Sequence, residues 1–266
     1  MKSKRGAWDK IVIDELGKRI IGYEAEREII FTFMLGRLVK NSKPATYNLL
    51  LKGNSSTGKD WIVNNIAGLF PEEDLEYFGR ATAKAINYLH DKKEEEILQA
   101  REMKRMSKEE LSEFKYKPPF TYDGKIAYFE EITEPTLNGE VMLVWTSGKN
   151  RMVSVDRGKS IVKEVDGKPM IVATSFRSIP TEETLNRFAL IHLDLTDKQR
   201  KSIKRQRAIV VRDGFEEDYT NKSKSRLAGL KRYSVRIPYA TKISKHLPIK
   251  IRGESRTIDR IYGVIQ

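Results

Sequence analysis

The stretch LLLKGNSSTGKDWIV, residues 49–63, determines which fold the chain adopts. It opens with an apolar run typical of a buried strand, passes through a loop bounded by Gly53 and Gly58, and reaches Lys59 where a helical pattern starts. Such a loop offers backbone N–H groups and the positive end of a helix to an anion, and its lysine reaches the outer phosphates. The stretch therefore predicts a phosphate-binding loop in an α/β domain.

The residue after the lysine departs from the usual pattern. Asp60 stands where such loops have Ser or Thr, whose hydroxyl ligates Mg²⁺. A carboxylate is also a hard oxygen ligand that Mg²⁺ accepts. Alternatively, Asp60 turns away as an acid in the first helical turn, where the helix dipole favours it. The sequence leaves both roles open, and with them the question of whether the site hydrolyses a nucleotide.

A second apolar run, KIAYFEEI at 125–132, ends in two glutamates. It predicts a buried strand with Glu130 and Glu131 at its carboxyl end, the edge of an open α/β sheet where ligands bind. One carboxylate can hold Mg²⁺ through water while the other orients or deprotonates an attacking water. A surface acid pair at a strand end is the alternative, and by itself the more common one.

The remaining segments extend this pattern in both directions. Residues 8–40 carry apolar positions at helical spacing, and 82–113 is a charged helical segment that we expect to be an exposed insertion or a helix pair. A helix is predicted near 136–147, then a β-hairpin at about 152–167 and a buried strand at 169–174. A short helix and a further strand follow.

These elements predict three parts. An N-terminal helical segment, 1–46, packs on an α/β core, 47–196, whose mostly parallel sheet carries the inserted hairpin; a small α-helical domain, 197–266, follows. A chain of 266 residues is long enough to bury such a core. The last helix stops in mid-pattern at Gln266, which is compatible with a longer natural chain.

Composition restricts the chemistry and the partners. The chain has no cysteine and three histidines, which excludes disulfides, thiol chemistry and Cys-ligated zinc and disfavours a His-based metal site. A formal net charge of +13 makes a polyanion such as nucleic acid a plausible partner. We find no apolar run of membrane-spanning length and no signal peptide, so we expect a cytoplasmic protein without a membrane partner.

The order of motifs resembles that of the AAA+ ATPases: glycine loop, strand with an acid pair, hairpin, strand ending in Thr-Ser, and helix with NRF. A hairpin just before the Thr-Ser strand is similar to the branch that contains the minichromosome maintenance helicases. GKIAYFEEI, KPMIVATS, TEETLNRFALIHLDLT and RTIDRIYGVIQ look most like helicase-type ATPases of archaeal and phage mobile elements. The resemblance covers roughly residues 10–266 and implies an αβα P-loop core with a small helical lid.

The resemblance also implies roles for single residues, with ATP and Mg²⁺ as cofactors. The ATP-binding loop would comprise Gly53, Asn54, Ser55, Ser56, Thr57, Gly58, Lys59 and Asp60. Asp60 and Glu130 would face the metal, and Glu131 would be the catalytic carboxylate. Thr174 or Ser175 would be the first sensor, a polar group that positions water near the γ-phosphate.

Arg187 in TLNRF matches the arginine finger, a cation that reaches a neighbouring subunit's nucleotide and stabilises charge on the transferred phosphoryl group. This role requires a homo-oligomer, in this family usually a hexamer. Without the resemblance, Arg187 would more simply cap a helix or pair with Glu182 or Glu183. Arg252 or Arg256, before the last helix, would be the second sensor in the lid.

The hairpin carries basic residues at or near its turn: Arg157, Lys159 and Lys163. In the related helicases such hairpins point into a central pore, where they would follow the backbone of single-stranded DNA without reading its sequence. The alternative is that the charges protect edge strands from aggregation.

Three functions remain open at this point. The first is an ATP-driven, ring-forming DNA translocase or helicase that acts in the replication of a mobile element or virus. The second is a replication initiator or loader that binds duplex DNA without processive unwinding. The third is a nucleotide-binding assembly protein with little hydrolysis, which the carboxylate of Asp60 keeps in contention.

Overall fold

The structure is a computed structural model that describes residues 15–43, 46–79, 92–107, 120–147, 151–156, 159–164, 166–214, 227–247 and 254–265. Its helices are α1 (Leu16–Arg19), α2 (Glu24–Leu35), α3 (Lys59–Ala67), α4 (Lys92–Met103), α5 (Glu134–Leu137), α6 (Glu140–Thr146), α7 (Glu182–Leu185), α8 (Asp197–Asp213), α9 (Ala240–Ser244) and α10 (Glu254–Ile265). Its strands are β1 (Leu49–Gly53), β2 (Leu75–Phe78), β3 (Ile126–Phe129), β4 (Arg151–Asp156), β5 (Lys159–Glu164), β6 (Met170–Ser175) and β7 (Ala189–Leu193). None of the helices in these ranges is both long and apolar enough to cross a membrane.

A five-stranded sheet forms the centre of the molecule, with the strand order β2-β3-β6-β1-β7. Each neighbouring pair in this sheet is parallel, whereas β4 and β5 form a separate antiparallel hairpin between α6 and β6. Parallel strands need crossover connections, which place helices over the faces of the sheet. The predicted α/β class, a P-loop core with a parallel sheet and an inserted hairpin, is confirmed.

Side chains on β1 alternate between two apolar layers. Leu49 and Leu51 pack in a cluster with residues of α2 and α3 such as Ile62, while Leu50 belongs to a second cluster that includes Trp145 of α6. Because both faces of the sheet are covered, the strands need apolar residues at every position rather than at alternate ones. This αβα layering explains why the sequence shows continuous apolar runs.

The strand order brings distant parts of the chain to one edge of the sheet. Strand β6 lies between β1 and β3, with Thr174 beside Leu51 and Ala173 beside Phe129. All strands point the same way, so the ends of β1, β3 and β6 meet at the carboxyl edge. The glycine loop, the acid pair and the Thr-Ser pair therefore lie together at the place where ligands bind in such sheets.

The predicted single helix near 136–147 is two short helices in the structure. Helix α5 ends before Asn138, and α6 starts after Gly139, whose backbone is extended. A Cβ on Gly139 would lie 2.7 Å from the carbonyl oxygen of Pro135, so this sharp break requires glycine. The difference arises because the periodic apolar pattern continues across the break and conceals it.

Chain segments outside 47–196 also contact this core. Leu16, Ile30 and Leu227 are buried in the same apolar cluster as α3. Tyr233 forms a short parallel bridge with Val39, and its N–H donates to the carbonyl oxygen of Leu38 over 2.9 Å. The three-part division of the chain stays a prediction.

Candidate functional site

The glycine loop is a tight turn between β1 and α3. Ser56 and Gly58 have φ values of 68° and 84°, and the Thr57 hydroxyl donates to the carbonyl oxygen of Asn54 over 2.9 Å. A Cβ on Gly53 would lie 2.7 Å from the carbonyl oxygen of Leu193, so only glycine fits there. Turns that mix right-handed and left-handed residues before a helix present successive N–H groups to an anion.

Lys59, the first residue of α3, is buried and points at the acid pair. It is 4% exposed, its Nζ pairs with the carboxylate of Glu131, and the same Nζ lies 3.9 Å from Oδ2 of Asp60. The lysine predicted to meet phosphate is therefore held by the carboxylate predicted to be catalytic. The structure brings these two residues together from the start of α3 and the loop after β3.

The carboxylate of Asp60 faces the sheet edge. Its Oδ1 accepts a hydrogen bond of 2.5 Å from the Thr174 hydroxyl and one of 3.2 Å from the Tyr128 hydroxyl. Burial first, and then the charge of Asp60, raise the pKa of the Tyr128 hydroxyl well above its usual range. Asp60 thus lies in the first turn of α3, but its carboxylate faces the site rather than turning away from it.

Glu131 is held in an unusual backbone conformation. Its φ is 48°, in the left-handed region that costs a non-glycine residue about 1–2 kcal/mol. Its N–H donates to the Thr174 hydroxyl over 3.0 Å, and its Oε2 accepts from the N–H of Phe176 over 3.2 Å. These contacts direct the carboxylate into the site, as is typical of strain that surrounding structure maintains at functional positions.

Thr174 and Ser175 differ in their surroundings. The Thr174 hydroxyl donates to Asp60 and accepts from Glu131, which places it at the centre of the site. The Ser175 hydroxyl instead accepts from the N–H of Ser178, because successive strand residues point to opposite faces. Of the two candidates for the first sensor, Thr174 is the one in contact with the other site residues.

Glu130 adds a third carboxylate to the site. Burial raises the pKa of Glu130, the charges of Asp60 and Glu131 raise it further, and Lys59 opposes them. Among the described residues, no three His, Asp or Glu side chains are grouped to hold a metal by themselves. Clustered hard oxygens that repel one another suit Mg²⁺ when phosphate oxygens and water complete the shell.

A cavity of about 920 Å³ adjoins the glycine loop, and the sequence had not indicated it. It lies between the loop, the segment after α1, and α8; Tyr23, Trp61 and Leu195 supply apolar walls, and Arg200 and Lys204 supply charge. The Tyr23 hydroxyl donates to the carbonyl oxygen of Thr57 over 3.2 Å and ties this wall to the loop. The apolar stripe of α8, an otherwise basic helix, is the feature of the sequence from which this cavity could have been predicted.

Arg187 makes its contacts with residues outside the glycine loop. It is 7% exposed, its Nη1 donates to the carbonyl oxygen of Leu143 over 2.9 Å and to the Ser147 hydroxyl, and its Nη2 lies 2.5 Å from Oε1 of Glu183. Its partners belong to α6 and α7. A contribution to a neighbouring subunit's nucleotide stays a prediction, and it would require these bonds to open.

The other predicted basic residues are placed only in part. Arg157 and Arg252 lie outside the described residues. Lys159 and Lys163 lie on β5 of the predicted hairpin, and Arg256 lies in α10. Helix α10 is tied to the core, since Arg260 donates to the carbonyl oxygen of Asn186 over 2.8 Å.

A scan against protein-family models and a search of curated proteins each find no match. Among solved structures, a crystal structure from Cytophaga hutchinsonii, described as a candidate ATPase, is similar to this chain with 16% identity and a TM-score of 0.41. The match covers 75% of this chain and 55% of the other, so this chain spans about half the length of that protein. At this similarity, the function has to be inferred from the residues of this chain.

Proposed function

We propose that this chain is an ATPase whose site is built on the glycine loop. The observation that carries the proposal is the convergence of Lys59, Asp60, Glu131 and Thr174 at the carboxyl edge of a parallel sheet. A buried lysine, carboxylates and a hydroxyl beside a loop that presents N–H groups match what phosphoryl transfer to water needs.

Binding and hydrolysis would use the same contacts in turn. The triphosphate lies on the loop and replaces Glu131 as the partner of Lys59, which leaves the Glu131 carboxylate to orient water. The water oxygen bonds to the γ-phosphorus, the bond to the β–γ bridging oxygen breaks, and ADP leaves with that oxygen. The water proton passes to Glu131 or to the phosphate formed.

Asp60 and Glu130 would hold Mg²⁺ together with phosphate oxygens and water. When bound, Mg²⁺ neutralises the charge that develops on the β- and γ-phosphate oxygens. The raised pKa of Glu130 supports this assignment, because its causes include two nearby carboxylates that a divalent cation would offset. Asp60 would take the place of the usual hydroxyl ligand, and the hydrogen bond from Thr174 would keep its carboxylate oriented.

The cavity beside the loop would hold the base of the nucleotide. Its volume, about 920 Å³, suits a small-molecule site, and Trp61 and Tyr23 offer aromatic surface close to the phosphate loop. Arg200 and Lys204 on α8 would then close on the nucleotide from the far wall. With the base in this cavity, α8 would be an element that contacts the bound nucleotide.

We further propose that ATP turnover serves a ring-shaped DNA motor, the helicase or translocase of a mobile element or virus. The support is the order of motifs, the net charge of +13 and the hairpin between α6 and β6. An initiator or loader on duplex DNA is the closest alternative. An assembly protein with little hydrolysis is the other alternative, and its support is that Asp60 stands in place of the usual hydroxyl residue and is already bonded to Thr174.

The test is Mg²⁺-dependent ATP hydrolysis by the chain and by Lys59→Ala, Glu131→Gln and Asp60→Ser, with and without single-stranded or duplex DNA. We expect Glu131→Gln to retain ATP binding and lose roughly a hundredfold in turnover. Lys59→Ala should lose binding, while Lys201→Ala, an exposed lysine on α8, should change neither.

Stimulation by single strands would favour the motor, and duplex binding with unstimulated turnover would favour the initiator. Absent turnover that Asp60→Ser restores would favour the assembly protein. Equal ATP binding by the chain and by Lys59→Ala would overturn the assignment of the loop itself.

A further inference from the structure

A second cavity lies at the edge of the sheet opposite the glycine loop. It has a volume of about 580 Å³, and Asn48, Asp123 and Lys168 border it just before β1, β3 and β6 respectively. A strand of this sheet extends on the order of 15 Å, so the cavity is that far from Lys59 at the carboxyl edge. The two cavities also share no lining residue. It is therefore a separate site.

This cavity, called the basic cavity from here on, is lined by five cationic side chains: Arg37, Lys40, Lys43, Lys168 and Arg232. Three of these charges are neutralised by carboxylates. Nη2 of Arg37 lies 2.6 Å from Oδ2 of Asp74, and Nζ of Lys43 lies 3.0 Å from Oδ1 of Asp259. Arg232 pairs with Asp123. Within the described part of the chain, no carboxylate lies within ion-pair distance of Lys40 or Lys168. The lining keeps an excess of positive charge.

Lys168 is the more constrained of these two lysines. It is half-buried, and its Nζ donates to the carbonyl oxygen of Ser42 over 3.2 Å, although an ammonium group has three hydrogens to donate. Burial lowers the pKa of the Lys168 ammonium, so its charge is held there at a cost. An anion in the cavity would offset that cost.

Several buried donors on the cavity wall also have no acceptor. Nε of Arg37, Nε of Arg232 and Nε1 of Trp145 are buried without a hydrogen-bond partner among the described residues. Arg37 is 8% exposed and Trp145 is 2% exposed, so bulk water does not readily serve them. These three nitrogens lie below the cavity surface, so the unneutralised charges of Lys40 and Lys168, rather than these donors, mark the cavity as a site for an anion.

We propose that the basic cavity binds a phosphate group, carried either by a nucleic-acid backbone or by a small phosphorylated molecule. Phosphate offers several acceptor oxygens and a double negative charge, which suits a set of guanidinium and ammonium donors. The volume leaves room for an attached sugar. In the chain, the hairpin β4–β5 lies between Trp145 and Lys168, two residues that line the cavity.

The experiment uses the full chain with Lys59→Ala as background, so that phosphate on the glycine loop does not contribute. Inorganic phosphate, thymidine monophosphate and a short oligothymidylate are titrated, and binding is followed by calorimetry and by the rise in unfolding temperature. Adding Lys168→Met should weaken the binding of phosphate roughly tenfold or more. Lys168→Arg should keep most of the affinity, and Lys201→Met on exposed α8 should keep all of it.

The probes identify the source of the phosphate. Tighter binding of oligothymidylate that Lys168→Met weakens indicates a nucleic-acid backbone, and saturation by the small anions alone indicates a small ligand. The proposal is overturned if no probe binds to the Lys59→Ala chain, or if Lys168→Met binds as well as its background. Unfolding curves without ligand verify that each variant folds. ATP hydrolysis by the glycine loop is not needed for either result.

Discussion

At the scale of single residues, the carboxylate of Asp60 is the most informative feature. It accepts bonds from Thr174 and Tyr128 and lies 3.9 Å from Nζ of Lys59, so it has the partners that a half-buried charge requires. The pattern of the loop showed that an acid was present but could not show its partners, because Tyr128 and Thr174 come from other strands. The tyrosine in particular reads as one more apolar residue of a buried run.

Glu130 should make stability depend on pH. Its pKa is raised above the ordinary value of 4.5, so the folded state binds the proton more tightly than the unfolded state does. Stability from this group is therefore greatest below pH 4.5 and falls as pH rises towards the raised pKa.

Replacing Glu130 by Gln should accordingly raise the unfolding temperature near neutral pH and leave it almost unchanged near pH 4. Thermal unfolding of both proteins at the two pH values is the measurement. Glu72→Gln, an exposed glutamate at the opposite edge of the sheet, is the matched control. An equal effect of Glu130→Gln at both pH values would contradict the prediction.

Arg187 should be needed for stability whether or not it also acts on a neighbour's nucleotide. Arg187→Ala removes donors to the Leu143 carbonyl and the Ser147 hydroxyl, and we expect a loss of about 2 kcal/mol in the free energy of unfolding. Chemical denaturation measures this loss. Mixing Lys59→Ala with Arg187→Ala subunits then separates the roles, because a residue acting between subunits would restore some ATP turnover in any mixed assembly. No destabilisation by Arg187→Ala would contradict the buried contacts.

At the scale of elements, the sequence identified the central strands of the core because each carries its own signal, but it missed β2 (Leu75–Phe78), a four-residue strand at the end of the sheet that includes a glutamate. The apolar runs of β1, β3 and β6 and the glycine loop before α3 were all evident, and the hairpin β4–β5 was located within a few residues. What it could not supply is the strand order. That order depends on contacts between segments far apart in the chain, and it alone puts Thr174 beside the glycine loop.

The junction of β1 and its loop should tolerate no side chain at residue 53. A Cβ on Gly53 would lie 2.7 Å from a backbone oxygen, that of Leu193 on β7, which has little freedom to move. Gly53→Ala should destabilise the fold by about 1–3 kcal/mol, as overpacking does. Gly79→Ala, whose new Cβ would meet its nearest neighbour at 3.5 Å, is the control. Chemical denaturation compares them, and equal stability would contradict the close approach.

At the scale of the whole molecule, the sheet has a different chemistry at each edge. The carboxyl edge gathers three carboxylates around one lysine, while the amino edge carries the basic cavity. The chain carries a net charge of +13, yet the described residues at its predicted nucleotide site are mostly acidic. Salt should consequently affect the binding of an anion at the two edges differently. Screening weakens the attraction of an anion to the basic cavity, whereas at the carboxyl edge it also weakens the repulsion between the anion and the carboxylates.

The ion pair between Lys59 and Glu131 has a consequence for affinity. In the proposed ATP site, Glu131 holds the lysine that an incoming phosphate would need, so it would act as a competitor attached to the protein at a fixed high effective concentration. Every nucleotide that binds must first displace it, and the measured dissociation constant includes that displacement. If the chain hydrolyses ATP as proposed, the same carboxylate would return to the lysine when phosphate leaves and so promote the release of the product.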